Sequence, residues 1–227
     1  MLRNSVFEIP LALSGALITF EGLDGCGKTS QLELEAERLR RSKRAVIATK
    51  EPGGTSAGRR IRDIVLNGAN GPLSPATELA LMFAARAQHL EEVIRPAIGA
   101  GRVVLCDRFT DSTIAYQGYG RGVALEQIEA LDKILCRGLR PDLTLLLDIT
   151  PEAAALRTAK RNRTAQVPNT RFEEEGLEFF RRVRQGYMEI AKREPERVRI
   201  IEASRSIPEV QQSIAEYVEE FLKRSRE

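Results

Sequence analysis

The eight residues GLDGCGKT at 22–29 constrain what this chain can fold into more than any other stretch. They follow ALITFE, a short apolar run rich in β-formers, and precede SQLELEAERLRR, whose leucines at 32, 34 and 39 stand among polar residues. The loop therefore joins a predicted strand to a predicted helix, the setting in which this spacing makes a phosphate-binding loop. Gly22, Gly25 and Gly27 permit backbone conformations that a Cβ would obstruct, and they turn successive N–H groups inward. A helix beginning near Lys28 adds the positive end of its dipole. Lys28 supplies charge for the outer phosphates of a nucleoside triphosphate, and the hydroxyl of Thr29 can ligate Mg²⁺. Leu23, Asp24 and Cys26 complete the loop. The alternative is a chance glycine turn, against which stand four fixed positions in a strand–helix context.

At 227 residues the chain suits one domain with a sizeable core, with room for a small lid. A net charge of +3 is small beside 35 basic and 32 acidic residues, which disfavours nucleic acid as a partner. Three cysteines, at 26, 106 and 136, give no disulfide framework and suit a reducing cytosol; Cys26 reads as a small filler inside the loop. No apolar run approaches 18 residues, so neither a span nor a membrane partner is expected. The N-terminal MLRNSVFEIPLALSG has a short apolar core interrupted by Pro10 and reads as a flexible extension, 1–15, rather than a signal peptide.

Short apolar runs alternate with helical patterns, which predicts an α/β fold with a parallel sheet. The strand candidates are 16–21, 45–49, 102–107, 143–149 and 198–203. A long helix is predicted from about 76, ending near Pro96, and further helical faces are carried by Leu125, Ile128, Leu131 and Leu135, and by Leu177, Phe180, Val183, Tyr187 and Ile190. The last helix, 207–224, carries Val210, Ile214, Val218 and Phe221 on one side. Right-handed crossovers place ligands at the carboxyl ends of such strands, where the remaining motifs fall.

EPGGTSAGRRIR (51–62) follows the second strand. Glu51–Pro52 is a candidate cis peptide, Thr55 or Ser56 can cap the next helix, and Arg62 lies on its second turn; the plain reading is a turn followed by solvated arginines. CDRFTDSTIAYQGYGRG (106–122) follows the third strand. Asp107 can hold Mg²⁺ through water, and Arg108 beside it suits a phosphate; Asp148 competes for the metal role but lacks an adjacent arginine. On the long helix, Phe83 and Arg86 lie three apart, so a ring could stack on a base while the guanidinium bonds its exocyclic oxygen, although a helical phenylalanine is more often core. His89, the single histidine, has no partner motif. LRTAKRNRTAQVPNTRFEEE (156–175) is dense in Arg157, Lys160, Arg161, Arg163 and Arg171 around Pro168 and Asn169. It reads either as a solvated charged helix or as a mobile loop, at about 156–172, that brings positive charge to a transferring phosphoryl group. Arg157 and Arg161 share a helix face, and Arg163 points elsewhere.

The phosphate loop, EPGGT, FAARAQH and DRFTDSTIAYQGYGR, in this order and spacing, resemble bacterial thymidylate kinases over about 16–222. The resemblance implies a P-loop kinase fold over 16–227 and a cytoplasmic homodimer that moves the γ-phosphoryl group of ATP to dTMP with Mg²⁺, in dTTP synthesis. It implies that residues 22–29 bind ATP, with Lys28 and Thr29 at the ATP and Mg²⁺ positions, and that Asp24 approaches the acceptor sugar. It further implies that Arg62 and Arg108 clamp the dTMP phosphate, with Glu51 and Pro52 on the same side, and that Phe83 and Arg86 stack on and bond the thymine. Thr113 then contacts the base, Gln117 belongs to the same wall, and Tyr116 crowds C2′. Arg157 and Arg161 are the implied catalytic charges of a lid that compensates for a phosphate loop with no arginine. The dimer is expected through the long helix, whose Leu79, Leu81, Met82, Ala85, Val93 and Ile94 spread round its circumference.

Three positions depart from the family pattern. Met82 stands four before Arg86, where the stacking aromatic is common; Thr170–Arg171 replaces an Asp–Arg pair; and Cys26 replaces alanine. Competing readings are another nucleoside monophosphate or deoxynucleoside kinase, a P-loop nucleotide switch without an acceptor, and a P-loop ATPase acting on nucleic acid. Against the switch, TKEP at 49–52 lacks the aspartate of a guanine-reading motif.

Overall fold

The computed structural model of the chain describes residues 15–67, 71–165 and 170–224. All but the last residue of the expected N-terminal extension, and Pro168 and Asn169 of the expected lid, lie outside these. Five strands, β1 (Ala16–Glu21), β2 (Val46–Lys50), β3 (Val103–Asp107), β4 (Leu143–Asp148) and β5 (Val198–Glu202), form one parallel sheet in the order β2-β3-β1-β4-β5. Each lies within one residue of its predicted ends. The three central strands are buried on both faces, which is why ALITFE, VVLCD and LTLLLD read as unbroken apolar runs. Successive residues alternate between two cores: Leu17 and Val104 face one with Phe83 and Ile94, while Ile18 and Leu105 face the other with Leu32 and Ile214.

The helices are α1 (Lys28–Arg41), α2 (Ser56–Leu66), α3 (Pro75–His89), α4 (Arg95–Gly99), α5 (Thr110–Thr113), α6 (Leu125–Leu131), α7 (Pro151–Ala165), α8 (Leu177–Arg193) and α9 (Ile207–Arg224). Thr55 caps α2, its hydroxyl accepting from Gly58 N at 2.9 Å, and Ser74 caps α3 ahead of Pro75. The long helix does not end near Pro96: a π turn over Leu90–Ile94 joins α3 to α4, which runs to Gly99. The turn opens the hydrogen-bond ladder where proline has no N–H to donate. A second π turn, Ile114–Gly120, follows α5 and carries the AYQG residues. Along α8 and α9 the inward residues include Phe179 and Leu222, with Phe180 and Phe221 half-buried beside them and Leu177 exposed.

The expected mobile loop is corrected in part. Residues 156–165 belong to α7, an uninterrupted helix, so Arg157, Lys160, Arg161 and Arg163 are helical. Four of the six apolar residues expected to serve a dimer face, Leu79, Met82, Ala85 and Ile94, are buried in the chain's own cores; Leu81 and Val93 are half-buried. β1 lies between β3 and β4, so the chain leaves the sheet in opposite directions beside it, and a crevice opens outside the carboxyl ends there.

Candidate active site

The loop leaving β1 is shaped by its glycines. Gly22, Gly25 and Gly27 have φ of 135°, 84° and 100°. A Cβ on Gly25 would come within 2.5 Å of the Ala154 carbonyl oxygen on α7, whereas one on Gly27 would meet nothing within 4 Å. Gly25 is thus required by close packing and Gly27 by its backbone angle. The Gly27 cap contributes no side chain, so the first amides of α1 face outward, a ready anion site. Lys28 Nζ donates to Gly22 O at 3.1 Å and Leu23 O at 2.9 Å, which holds its charge against the loop. Cys26 is buried beneath, and burial pushes its thiol up, as suits a filler.

A cavity of about 540 Å³ opens from this loop across the sheet ends. It brings together Asp24, Gly25, Gly27, Lys28 and Thr29 from the loop, Glu51, Pro52 and Arg62 from the second constellation, and Asp107, Arg108, Tyr116 and Gln117 from the third. Arg157 and Arg161 of α7 close one side. Gly22, Leu23 and Cys26 lie in the body of the loop behind it. The Glu51–Pro52 bond is cis.

Thr29 Oγ1 donates to Asp107 Oδ2 at 2.5 Å, placing two hard oxygen donors beside Lys28. This donor set fits Mg²⁺. Asp148, the competing carboxylate, is instead held by Arg184 through two bonds of 2.7 Å and lies off the cavity. Glu51, His89 and Cys106 also approach one another, but the carboxylate already accepts from Arg86 Nε at 2.6 Å and faces His89 Nδ1 at 2.8 Å, so it is not free for a metal.

Arg108 lines the same cavity from the end of β3. Its φ of 71° is unusual for a residue with a side chain, and its guanidinium is over-determined by partners. It donates to Asp24 Oδ1 at 2.7 Å, Gly22 O at 3.1 Å, Ser112 Oγ at 3.0 Å and the hydroxyls of Tyr116 and Tyr187, both at 3.1 Å. Burial opposes the charge of Asp24, yet Arg108 and Lys28 hold its carboxyl well below the usual carboxylate range. Arg62 Nη1 donates to Pro52 O at 3.0 Å. Burial, and then the charge of Arg108, lower the affinity of Arg62 for its proton. Two guanidiniums that disfavour each other in one cavity describe a place for an anion.

Three expected base contacts sit elsewhere. Phe83 is fully buried in the core, where Arg86 lies over its ring at 5.1 Å; Met82 takes the wall position one residue earlier. The helical period decides this, since residues 82 and 83 point about 100° apart. Thr113 and Arg86 are buried behind the wall, Arg86 Nη2 donating to Thr113 Oγ1 at 2.9 Å. Arg86 Nη1 is buried with no hydrogen-bond partner among the described residues.

On α7, Arg157 Nη1 donates to Ala203 O at 2.9 Å, across to the turn after β5, and Arg161 Nη2 donates to Glu173 Oε1 at 2.5 Å. Arg163 is exposed and off the cavity, as the spacing predicts. Arg171 turns away from the cavity to Glu78, its Nη2 lying 2.9 Å from Oε2.

Sequence reasoning missed the layer behind these residues. Glu21, buried at the end of β1, accepts from Phe109 N at 2.7 Å, Ser112 Oγ at 2.5 Å and Tyr187 OH at 3.1 Å. Burial, reinforced by Asp111, pushes its pKa up to about 7. His89, assigned no role, faces Thr49 Oγ1 at 2.7 Å through Nε2 and steadies Glu51. Only the placement of Ser112 four residues after Arg108 hints at any of this; Tyr187 reads as core, and no local pattern pairs residues so far apart.

A family model described as thymidylate kinase matches residues 20–214. A thymidylate kinase of Pelotomaculum thermopropionicum is 48% identical over 210 residues, 92% of this chain and 95% of that one. One from Pseudomonas fluorescens is 48% identical over 214 residues, 94% of this chain and all of its own. The crystal structure of thymidylate kinase from Ehrlichia chaffeensis superimposes with a TM-score of 0.72 at 32% identity, covering 91% of this chain and 99% of that one.

Proposed function

This chain belongs to the thymidylate kinase family, and from that premise we infer how its cavity moves the γ-phosphoryl group of ATP to dTMP. The protein is an ATP-dependent kinase that phosphorylates dTMP. The loop amides and Lys28 hold the outer phosphates of ATP, and Arg62 and Arg108 hold the acceptor phosphate. An acceptor oxygen attacks the γ-phosphorus, a new P–O bond forms, the bond to the β,γ-bridging oxygen breaks, and ADP leaves. Two anions must meet, so the work of the site is to neutralise and align them. Thr29 and Asp107 would hold Mg²⁺, which would supply positive charge to the phosphate oxygens. Arg161 and Arg157 add cationic charge from α7. Asp24, ionised and fixed by Arg108, faces the acceptor sugar, and Tyr116 crowds its C2′ position.

The observation that carries this reading is the convergence of Arg62 and Arg108 on the cavity that holds the phosphate loop. A nucleotide switch needs one phosphate site; two arginines on the same cavity as the phosphate loop support a second. Gln117, Met82 and Phe172 line the acceptor side, with Arg86 behind them, its Nη1 without a hydrogen-bond partner among the described residues.

We place the enzyme in the cytoplasm, with which its three free, buried cysteines agree. Among the described residues no helix is long and apolar enough to cross a membrane. A homodimer would use the outward face of α3, where Ala80 and Ala84 are exposed, beside Ile64 of α2.

ADP release from Mg-ATP across a panel of monophosphates tests the activity. The expected order is dTMP first and dUMP second. Equal or greater turnover with CMP, AMP or GMP would overturn it.

A further inference from the structure

Glu78, in the first turn of α3, is 1% exposed and lies off the cavity wall, yet three side chains from other elements converge on it. Gln117 Nε2 donates to Oε1 at 2.9 Å, Arg121 Nε reaches the same oxygen at 3.3 Å, and Arg171 Nη2 donates to Oε2 at 2.9 Å. Gln117 is fully buried and borders the cavity, and its Oε1 has no hydrogen-bond partner among the described residues. An amide has a donor end and an acceptor end, and which end faces which way follows from its partners. A carboxylate flanked by two guanidiniums only accepts, so the NH₂ group of Gln117 must face Glu78 and its carbonyl oxygen must face the other way.

We propose that Glu78 is a positioning residue that sets the base preference of the acceptor site, by locking the Gln117 amide so that it offers an acceptor and never a donor. The inference rests on the reading of this cavity as the dTMP site. Thymine carries a donor at N3 beside an acceptor at O4. Cytosine carries an acceptor at N3 beside a donor at its amino group. A fixed Oε1 pairs with the N3–H of thymine and meets the N3 lone pair of cytosine with a lone pair of its own. A buried acceptor left facing another acceptor loses a hydrogen bond and keeps its desolvation cost, which is how polar sites reject near-isosteres. The same carboxylate binds Arg171, whose neighbours Thr170 and Phe172 line the cavity, so the base reader and the segment returning from α7 share one anchor.

The test is Glu78→Gln, which keeps the size of the side chain but can accept or donate, so that Gln117 is free to turn over. The readouts are kcat/KM for dTMP, dUMP and dCMP at saturating Mg-ATP, with Ki against dTMP measured for dCMP. The dTMP-to-dCMP preference is expected to fall by about tenfold or more. The dTMP-to-dUMP preference, which compares two bases with the same N3–H and O4, should stay within about twofold. If activity falls equally on all three substrates, or if the dUMP ratio collapses together with the dCMP ratio, Glu78 is a structural clasp only and the proposal fails. Should removal of one charge leave the protein unfolded, the charge-balanced Glu78→Gln/Arg171→Met variant carries the same comparison. Arg171→Met alone removes the ion pair but not the Gln117 contact and should keep the parent ratio; a fall of similar size there would overturn the assignment to Glu78. A parent enzyme without dTMP turnover would overturn the reading of the activity instead.

Discussion

Arg108 Nη2 stands 2.7 Å from Asp24 Oδ1, a bond that ties the end of β3 to the phosphate loop across 84 residues of sequence. Truncating Arg108 therefore does two things: it removes the proposed acceptor clamp and leaves Asp24 without its ion-pair partner. Arg108→Ala should raise the KM for dTMP, lower kcat and cost about 1.5–3 kcal/mol in transition-state stabilisation, roughly one to two decades of kcat/KM. Steady-state kinetics on a folded variant decide the matter, and an unchanged kcat/KM would remove Arg108 from the clamp.

Arg161 and Arg157 line the cavity while Arg163, two residues on, does not. Arg161→Ala or Arg157→Ala should cut kcat about tenfold or more, equivalent to about 1.4 kcal/mol. ATP binding in the absence of dTMP should change little, and Arg163→Ala should match the parent. Parent-like kcat in both single variants and in their double variant would leave α7 without a catalytic part.

Met82 and Phe83 exchange the roles that sequence spacing suggests. Phe83→Ala opens a hole in the core and should lower stability by about 3–5 kcal/mol. Met82→Ala should raise the dTMP KM about fivefold, with a smaller loss of stability. Denaturant unfolding and KM measured on the same preparations separate the two, and a reversed pattern would return Phe83 to the site.

Glu21 makes stability depend on pH. Its pKa rises from an ordinary 4.5 to about 7 in the folded chain, so the folded chain binds the proton more tightly than the unfolded chain. The contribution is fully present below the unfolded value and is lost as pH rises through the folded value. At about 1.36 kcal/mol per pKa unit the loss from 4.5 to about 7 is of order 3 kcal/mol. Glu21→Gln can still accept from Phe109 N and donate to Ser112 or Tyr187. It should therefore flatten unfolding midpoints between those two pH values and be more stable than the parent at pH 8. An equal slope in both proteins would assign the effect to another group.

Light scattering at micromolar protein should give twice the mass of one chain. Because most of the apolar circumference of α3 is already covered internally, a monomeric mass would show that no second chain is needed to bury it.

Much of the fold was written in local pattern. Central strands buried on both faces must be apolar throughout, so β1, β3 and β4 announce themselves within a residue of their ends. The phosphate loop was equally legible, because Gly22, Gly25, Gly27, Lys28 and Thr29 act through backbone angles and neighbours only a few residues apart. Helical spacing alone separated Arg163 from Arg157 and Arg161.

What tertiary structure alone decided were the partners. Spacing places Phe83 and Arg86 on one helix face, but only packing against the sheet determines that this face meets the core and that Met82 meets the cavity. The charge-dense stretch after 156 was ambiguous between helix and loop, because Pro168 and Asn169 mark a break without saying where the helix before it ends. Glu21, Glu78 and His89 gave no local signal, since each acquires its role from residues at least 35 positions away in its key bonds, such as Glu78 to Gln117, His89 to Thr49 and Glu21 to Tyr187. A motif fixes chemistry where the groups that act are neighbours in the chain. Where burial brings distant polar groups into one another's reach, the folded sheet and its helices determine which donor meets which acceptor.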